Sequence, residues 1–483
     1  MGNEHACRYS NCPLSFSRRT FLGAAGVTGA SAHLGLLDFA SSLFAASGRP
    51  GGKPIVRAVF VRPDTDKYWL GWPGAAYDIK GHQQMYTKIL KEAAAKHNVD
   101  LIVVDSPLHD ENAVSKCLAS LKRMPPQGLI VVSMSLNQSW PHINRIAKER
   151  GDIPTIVFSP MGTSFTSHLQ GTRDIPGVYV AATQDLGWLD FGVRMLRTVW
   201  DMKSSRICVC RGEKVEDRKL DPIGTTLHYI PRQQYADEYA KIKETDEIRE
   251  LADFYSKSAK KIVEPKRQDV LNSVRNYVLA RKLMKETKCD GISVDCLPLV
   301  RDHKLPAPPC MAWLRLNDEG SVGACEADWR AAISLRLTSY LFDRPGFMQD
   351  PCPNTINNTL MGAHCSCPTK LDGFDKPAAP LILRSHSESN IGVSPQVLWR
   401  EGQPVTVMKF LDTPDTIILG TGKVVSNIET PPAGGCRTSV EITLNGVEDA
   451  RDAKGFHQLF IYGDLETPFK AYCQLAGIKV VHI

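Results

Sequence analysis

The chain changes its repeat near residue 345, and that change limits its fold more than any single motif does. Before it, short β-branched runs alternate with helical patterns; after it, short strands follow one another until a closing helix. In the first stretch, strands are expected at 55–61, 101–104, 128–133, 155–159 and 178–181, with helices at 79–96, 111–123, 140–150 and 186–202 between and after them. Such alternation reads as βαβ units around a parallel sheet. A second unit of this kind uses strands at 206–210 and 291–295, and the charged 237–281 region between them reads as two solvated helices joined at Pro265. Further on, runs at 381–383, 405–410, 416–419, 423–426, 436–442 and 459–462 are separated by Gly, Pro, Asp and Asn, and a helix at 466–475 follows. That is the pattern of a barrel-like β domain. The expected fold class is therefore α/β: two doubly wound α/β domains, 48–203 and 204–344, followed by a C-terminal β-barrel-like domain, 345–483.

Residues 1–47 read as an export segment rather than as part of the fold. Ser17-Arg18-Arg19-Thr20-Phe21-Leu22 is a twin-arginine motif, and a Gly/Ala/Leu-rich run leads from it to Ala45-Ala46-Ser47. A membrane anchor is the competing reading, but His33, Asp38 and several glycines interrupt the run, and a spanning helix needs about 20 mainly apolar residues. The twin-arginine machinery is thus an expected partner and the periplasm or cell envelope the expected destination. A net charge of +6 over 483 residues is mild, so no nucleic-acid or membrane-surface partner is indicated. No Gly-x-Gly-x-x-Gly follows the first strand, which counts against a dinucleotide site. Of the 14 cysteines, Cys208 and Cys210 alternate in an apolar strand and read as buried thiols. Cys365 and Cys367, with Cys325 and Cys352 nearby, offer soft metal ligands but lack the C-x2-C spacing of a zinc knuckle.

The chemistry concentrates in residues 323–370, where Glu326, Asp328, Asp350 and His364 occur in order. Trp329, Ile333, Leu337 and Leu341 recur every fourth position, the stripe of an amphipathic helix that Pro345 ends. A helix of roughly 16 residues carries the chain about 24 Å away, and an extended return to Asp350 covers about 25 Å. Glu326 and Asp350 can therefore meet. Two carboxylates held together raise one another's pKa unless a cation or shared proton lies between them, and a hard divalent metal suits that place. Asp328 reads as the cap of the helix that follows.

These residues resemble the active-site region of the L-fucose and L-arabinose isomerases, which have a Glu at a helix start and an acidic residue about 24 positions on, as Glu326 and Asp350 stand here. MGAHCSCP at 361–368 is similar to the segment of the arabinose branch whose His binds metal, which matches His364. GFHQLFIYGDLETPFKAYCQLAGIKVV at 455–481 resembles the family's last segment, in which a His before a strand ending Tyr-Gly-Asp is a metal ligand; here that is His457. The resemblance covers residue 291 to the C-terminus. It implies a metal-dependent aldose–ketose isomerase using Mn²⁺ or another divalent ion. Glu326, Asp350, His457 and, in the arabinose-like arrangement, His364 would hold the metal, and Glu326 and Asp350 would act as base and acid on a cis-enediol. It also implies a homo-oligomer, trimer or hexamer, whose sites are completed across subunits.

Candidate contacts to a small-molecule sugar lie elsewhere. Trp69 and Trp72 stand in an aromatic loop after the first strand, where open α/β sheets place ligands. Gln83 lies in a stretch similar to an N-terminal Gly-x-Gln segment of arabinose isomerases. Asp295 ends a strand, and Arg384 and His386 belong to a cluster of groups able to bind hydroxyls. Two alternatives stand beside the isomerase: an exported, non-catalytic carbohydrate-binding protein, and an epimerase or other carbohydrate enzyme on the same scaffold. A solute receptor needs neither a converging Glu, Asp and His nor a C-terminal β domain.

Overall fold

Burial on both faces selects the β-branched runs as the strands of a parallel sheet. In the computed structural model, which describes residues 52–68, 77–429 and 435–483, β1 (Ile55–Val61) is buried from Val56 onward. The export segment 1–47 and the loop carrying Trp69 and Trp72 lie outside the described residues. The chain forms two compact units, Lys53–Leu196 and Arg197–Ile483. In the first, α1 (Ile79–Lys96), β2 (Asp100–Val103), α2 (Glu111–Arg123), β3 (Gly128–Ser133), α3 (Trp140–Glu149), β4 (Thr155–Pro160), β5 (Val178–Thr183) and α4 (Gly187–Ser204) follow β1, with the unit boundary inside α4. The sheet order is β2-β1-β3-β4-β5, all parallel. Asp78 and Asp110 start α1 and α2 by accepting from Gly81 N at 2.9 Å and Ala113 N at 2.7 Å.

The second unit opens with β6 (Arg206–Cys210), β7 (Glu216–Lys219), β8 (Thr226–Ile230), α5 (Arg232–Lys241), α6 (Asp246–Ser258), α7 (Arg267–Thr287), β9 (Gly291–Val294), α8 (Cys310–Asp318), β10 (Val322–Cys325) and α9 (Trp329–Phe342). Its sheet runs β10-β9-β6-β8-β7, with β7 antiparallel and the rest parallel. The charged 237–281 region holds parts of three helices rather than two, and α7 is not solvated: Val270, Val274, Tyr277, Ala280 and Leu283 are all buried. Nor does α9 keep an amphipathic stripe. It is buried on every side, Arg336 included, as a helix inside a large core must be.

The chain then builds β11 (Phe347–Asn354), β12 (Thr359–His364), β13 (Leu381–Arg384), β14 (Ser394–Val397), β15 (Pro404–Phe410), β16 (Thr416–Asn427), β17 (Thr438–Leu444), β18 (Gln458–Tyr462), α10 (Glu466–Ala476) and β19 (Lys479–His482). Six of these strands close an antiparallel barrel in the order β15-β18-β11-β12-β17-β16, the last pairing back to β15, so the barrel-like expectation holds. β13 and β14 form a small separate sheet with Lys261–Ile262. Two differences from expectation have local causes. β11 carries Pro351 and Pro353, which argue against a strand, yet both lie where β11 has lost β18 and pairs with β12 alone. Residues 416–427 form one strand instead of two because Gly422, which reads as a break, is where β17 approaches so closely that a Cβ would collide with the Thr443 carbonyl.

Candidate metal centre

β10 ends at Cys325, and the next two residues turn into left-handed backbone, Glu326 at φ 59° and Ala327 at φ 52°. L-residues pay about 1–2 kcal/mol each for that conformation, and such strain clusters at functional sites. Asp328 then caps α9 as expected, its Oδ1 accepting from Arg330 N at 2.9 Å and Ala331 N at 3.2 Å. On the barrel side, Asp350 lies in β11, His364 is the last residue of β12, and His457, also left-handed at φ 57°, immediately precedes β18. Gly362 keeps this wall thin: a Cβ there would strike Phe460 and Gln349.

The structure brings Glu326, Asp350, His364 and His457 together. His457 Nε2 lies 3.1 Å from Asp350 Oδ1 and 3.6 Å from Glu326 Oε2, and His364 Nε2 lies 3.9 Å from Glu326 Oε1. Glu326, His364 and His457 can each offer one ligand atom within 4.8 Å of the others. Both imidazoles are oriented from behind. His457 Nδ1 meets Asp328 Oδ2 at 3.0 Å and His364 Nδ1 meets Ser366 Oγ at 2.9 Å, which leaves both Nε2 atoms facing Glu326. Metal-binding histidines are held in this way, by a carboxylate or hydroxyl on the second nitrogen. Asp350 Oδ1 and His457 Nε2 are buried, lie 3.1 Å apart and have no hydrogen-bond partner but each other among the described residues. A cation accepting lone pairs from both would satisfy those two atoms in place of the proton they now share. The histidine side chains are 2% and 4% exposed, while Glu326 and Asp350 are 30% and 31% exposed, so the site opens on its carboxylate side.

Electrostatics follow from this packing. Burial raises the Glu326 carboxyl, partly opposed by His457, with Asp350 and Glu388 adding to the rise. Burial also works to raise Asp350, but its pairing with His457 holds it below the usual range. Asp328 is likewise held low, against its burial, by His457 and Lys409. Burial pushes His364 down to about 4, leaving a neutral imidazole with a free lone pair. For His457, burial is outweighed by Asp328, Asp350 and Glu326, which push it up to about 9. The carboxylates thus favour a positive charge at Nε2, whether a proton or a metal.

The remaining candidates have other partners. Gln83, in the first unit, accepts from Arg62 Nε at 2.6 Å and donates to the Asp105 carbonyl at 3.0 Å. Asp295 pairs with Arg232 at 2.6 Å. Arg384 grips Glu264 with Nε at 2.9 Å and Nη2 at 2.6 Å, tying β13 to the segment before α7. His386 is buried beside Cys310 and Cys365. Sequence reasoning missed Lys409, a buried cation in β15 that donates to Asp328 Oδ2 at 2.7 Å and to the Phe456 carbonyl. The one signal available was that it is the sole charge in an otherwise apolar strand. Compared with protein-family models and with curated proteins, the chain matches none.

Proposed function

We propose that the chain is a divalent-metal-dependent aldose–ketose isomerase working through a cis-enediol. The observation that supports this is the convergence of two carboxylates and two Nε2 atoms from four separate segments, with Asp350 Oδ1 and His457 Nε2 buried and partnered only by each other. In this reading both units are doubly wound, and Glu326 follows the carboxyl end of a parallel strand, where such folds bind ligands. A hard divalent ion such as Mn²⁺, when bound, would polarise neighbouring sugar oxygens and acidify the proton alpha to the carbonyl. Glu326, raised by burial, and Asp350, held ionised, form a pair whose proton affinities are pushed apart, as an acid and a base on one substrate need. One removes the proton at C2 of an aldose while the other serves the oxygens; the proton returns at C1. His364 contributes a neutral nitrogen, His457 would do so once a metal displaces its proton, and Asp328 and Ser366 keep them aimed.

The test is Mn²⁺ titration by calorimetry on wild type, Glu326→Gln and Asp350→Asn, paired with proton exchange at C2 across a sugar panel in deuterated water. Both variants should lose metal binding and exchange together. Wild-type-like Mn²⁺ binding by both would place the site elsewhere, and metal binding by wild type without exchange on any sugar would point to a carbohydrate-binding protein instead.

A further inference from the structure

Beside the carboxylate site, the second unit holds a second constellation of different chemistry. Cys365, next in sequence to His364, has two sets of neighbours. It groups with Cys325 and His364, and separately with Cys310 and His386, and within each group the ligand atoms lie within 4.8 Å of one another. Cys310, Cys365 and His386 are all buried, and both cysteines are free thiols. They come from unrelated places: the first residue of α8, the turn after β12 and the turn after β13. The His386 ring is fixed by Ser389 Oγ, 2.8 Å from its Nδ1, which leaves Nε2 as the available nitrogen.

Buried thiols alone would be ordinary core packing, which is how Cys208 and Cys210 read. An imidazole oriented from behind by a hydroxyl, at the edge of a thiol cluster, is what a metal centre adds to such packing. Tetrahedral zinc holds sulfur at about 2.3 Å and nitrogen at about 2.0–2.1 Å, so its ligand atoms stand about 3.3–3.8 Å apart. Closing the observed group to that size takes about 1 Å of side-chain adjustment. Thiolates select zinc over manganese, and carboxylates with imidazole suit the harder ion, so neighbouring sites of these two kinds would sort their metals by ligand type.

We propose that Cys310, Cys365 and His386 form a thiolate-rich zinc site distinct from the Glu326 centre, its fourth position taken by water. The zinc ion displaces the two thiol protons to solvent, three bonds to protein and one to water form, and no electron is transferred. The site does not depend on the isomerase reading, and its ligands tie α8 to the turns after β12 and β13.

Cobalt(II) added to the full-length protein, purified anaerobically with a reductant, reads the site directly. Wild type and Glu326→Gln should both develop the near-ultraviolet thiolate-to-cobalt charge-transfer band with one equivalent of Co²⁺, and Zn²⁺ should bleach it. Cys365→Ser should abolish the band, and His386→Asn should weaken Co²⁺ affinity by about 10- to 100-fold. X-ray absorption at the zinc edge should show sulfur at about 2.3 Å. No charge-transfer band in the wild-type protein overturns the proposal, and so does a band that survives in both Cys310→Ser and Cys365→Ser. A Cys310–Cys365 disulfide in freshly isolated protein, mapped by mass spectrometry without reduction, would replace the metal site with a redox pair. Because wild type and Glu326→Gln are both read, loss of the manganese site and loss of the zinc site are distinguished.

Discussion

Two regions of the molecule bury a histidine against an aspartate that also takes a lysine. In the first unit, His97 Nε2 lies 3.1 Å from Asp190 Oδ1 and Lys96 Nζ lies 2.8 Å from Oδ2. In the second, His457 Nδ1 lies 3.0 Å from Asp328 Oδ2 and Lys409 Nζ lies 2.7 Å from that same oxygen. The outcomes are opposite. Burial lowers His97 despite Asp190, with Arg194 and Lys96 adding to the fall, whereas His457 is pushed up to about 9 in spite of its burial. The difference lies around the rest of the ring. His457 turns its other nitrogen to Asp350 and Glu326, while His97 has cations for further neighbours. A His–Asp–Lys group is thus a brace on its own and becomes a place for a cation only when more carboxylates converge on it.

The contrast can be broken most strongly at the histidines. His457→Ala should lower Mn²⁺ affinity by about 10- to 100-fold, while His97→Ala should leave calorimetric Mn²⁺ affinity unchanged and lower the melting temperature alone. Equal losses of affinity in the two variants would erase the distinction.

A second contrast is in pH. In metal-free protein, His457 is raised from 6.5 to about 9, so its contribution to stability is fully present below pH 6.5 and is lost as pH rises through about 9. His97 is lowered from 6.5, so its contribution is present above that pH and is lost as pH falls through the folded value. Urea midpoints across the pH range should fall on both sides, with His457→Ala flattening the alkaline limb and His97→Ala the acid one. Mn²⁺ should flatten the alkaline limb of wild type as well. An alkaline fall that persists unchanged in His457→Ala would refute the assignment.

The smallest contrast is between the lysines. Lys409 is 5% exposed, and Lys409→Met leaves the Phe456 carbonyl without its donor and Asp328 Oδ2 with His457 alone, a loss of about 1–3 kcal/mol by urea unfolding. Lys96 is 53% exposed, and Lys96→Met should stay within about 0.5 kcal/mol of wild type. Equal losses would mean that burial does not set the value of the pair.

The central strands of the first sheet, β1, β3 and β4, were legible because each is a β-branched run buried on both faces, which leaves little room for another reading. The barrel was legible in kind but not in detail, since Pro351, Pro353 and Gly422 look like breaks until the neighbouring strands are known. Of the candidate site, Glu326 and Asp350 could be named from the length of the helix and its extended return, and His364 and His457 from the resemblance of their segments alone. Their supports could not. Lys409 finds Asp328 at a separation of 81 residues, and Arg384 finds Glu264 at 120, distances over which local pattern says nothing. His386 reads as a surface group able to meet hydroxyls, yet its loop folds it inward against two thiols that no motif joins to it.

The pairing of β11 with β18 has a consequence for how the protein matures. Gln349 stands opposite Gln458, so in an antiparallel ladder Asp350 falls opposite His457, one step beyond the last pair. A slip of one residue would turn every side chain of β18 to the other face and carry His457 away from the carboxylates. Contacts so distant in sequence form late, after the costly loop closures. An ion that binds only the correct register would draw slipped barrels toward it by mass action. Metal supply would then govern how many chains finish folding, and not only how fast the finished ones turn over.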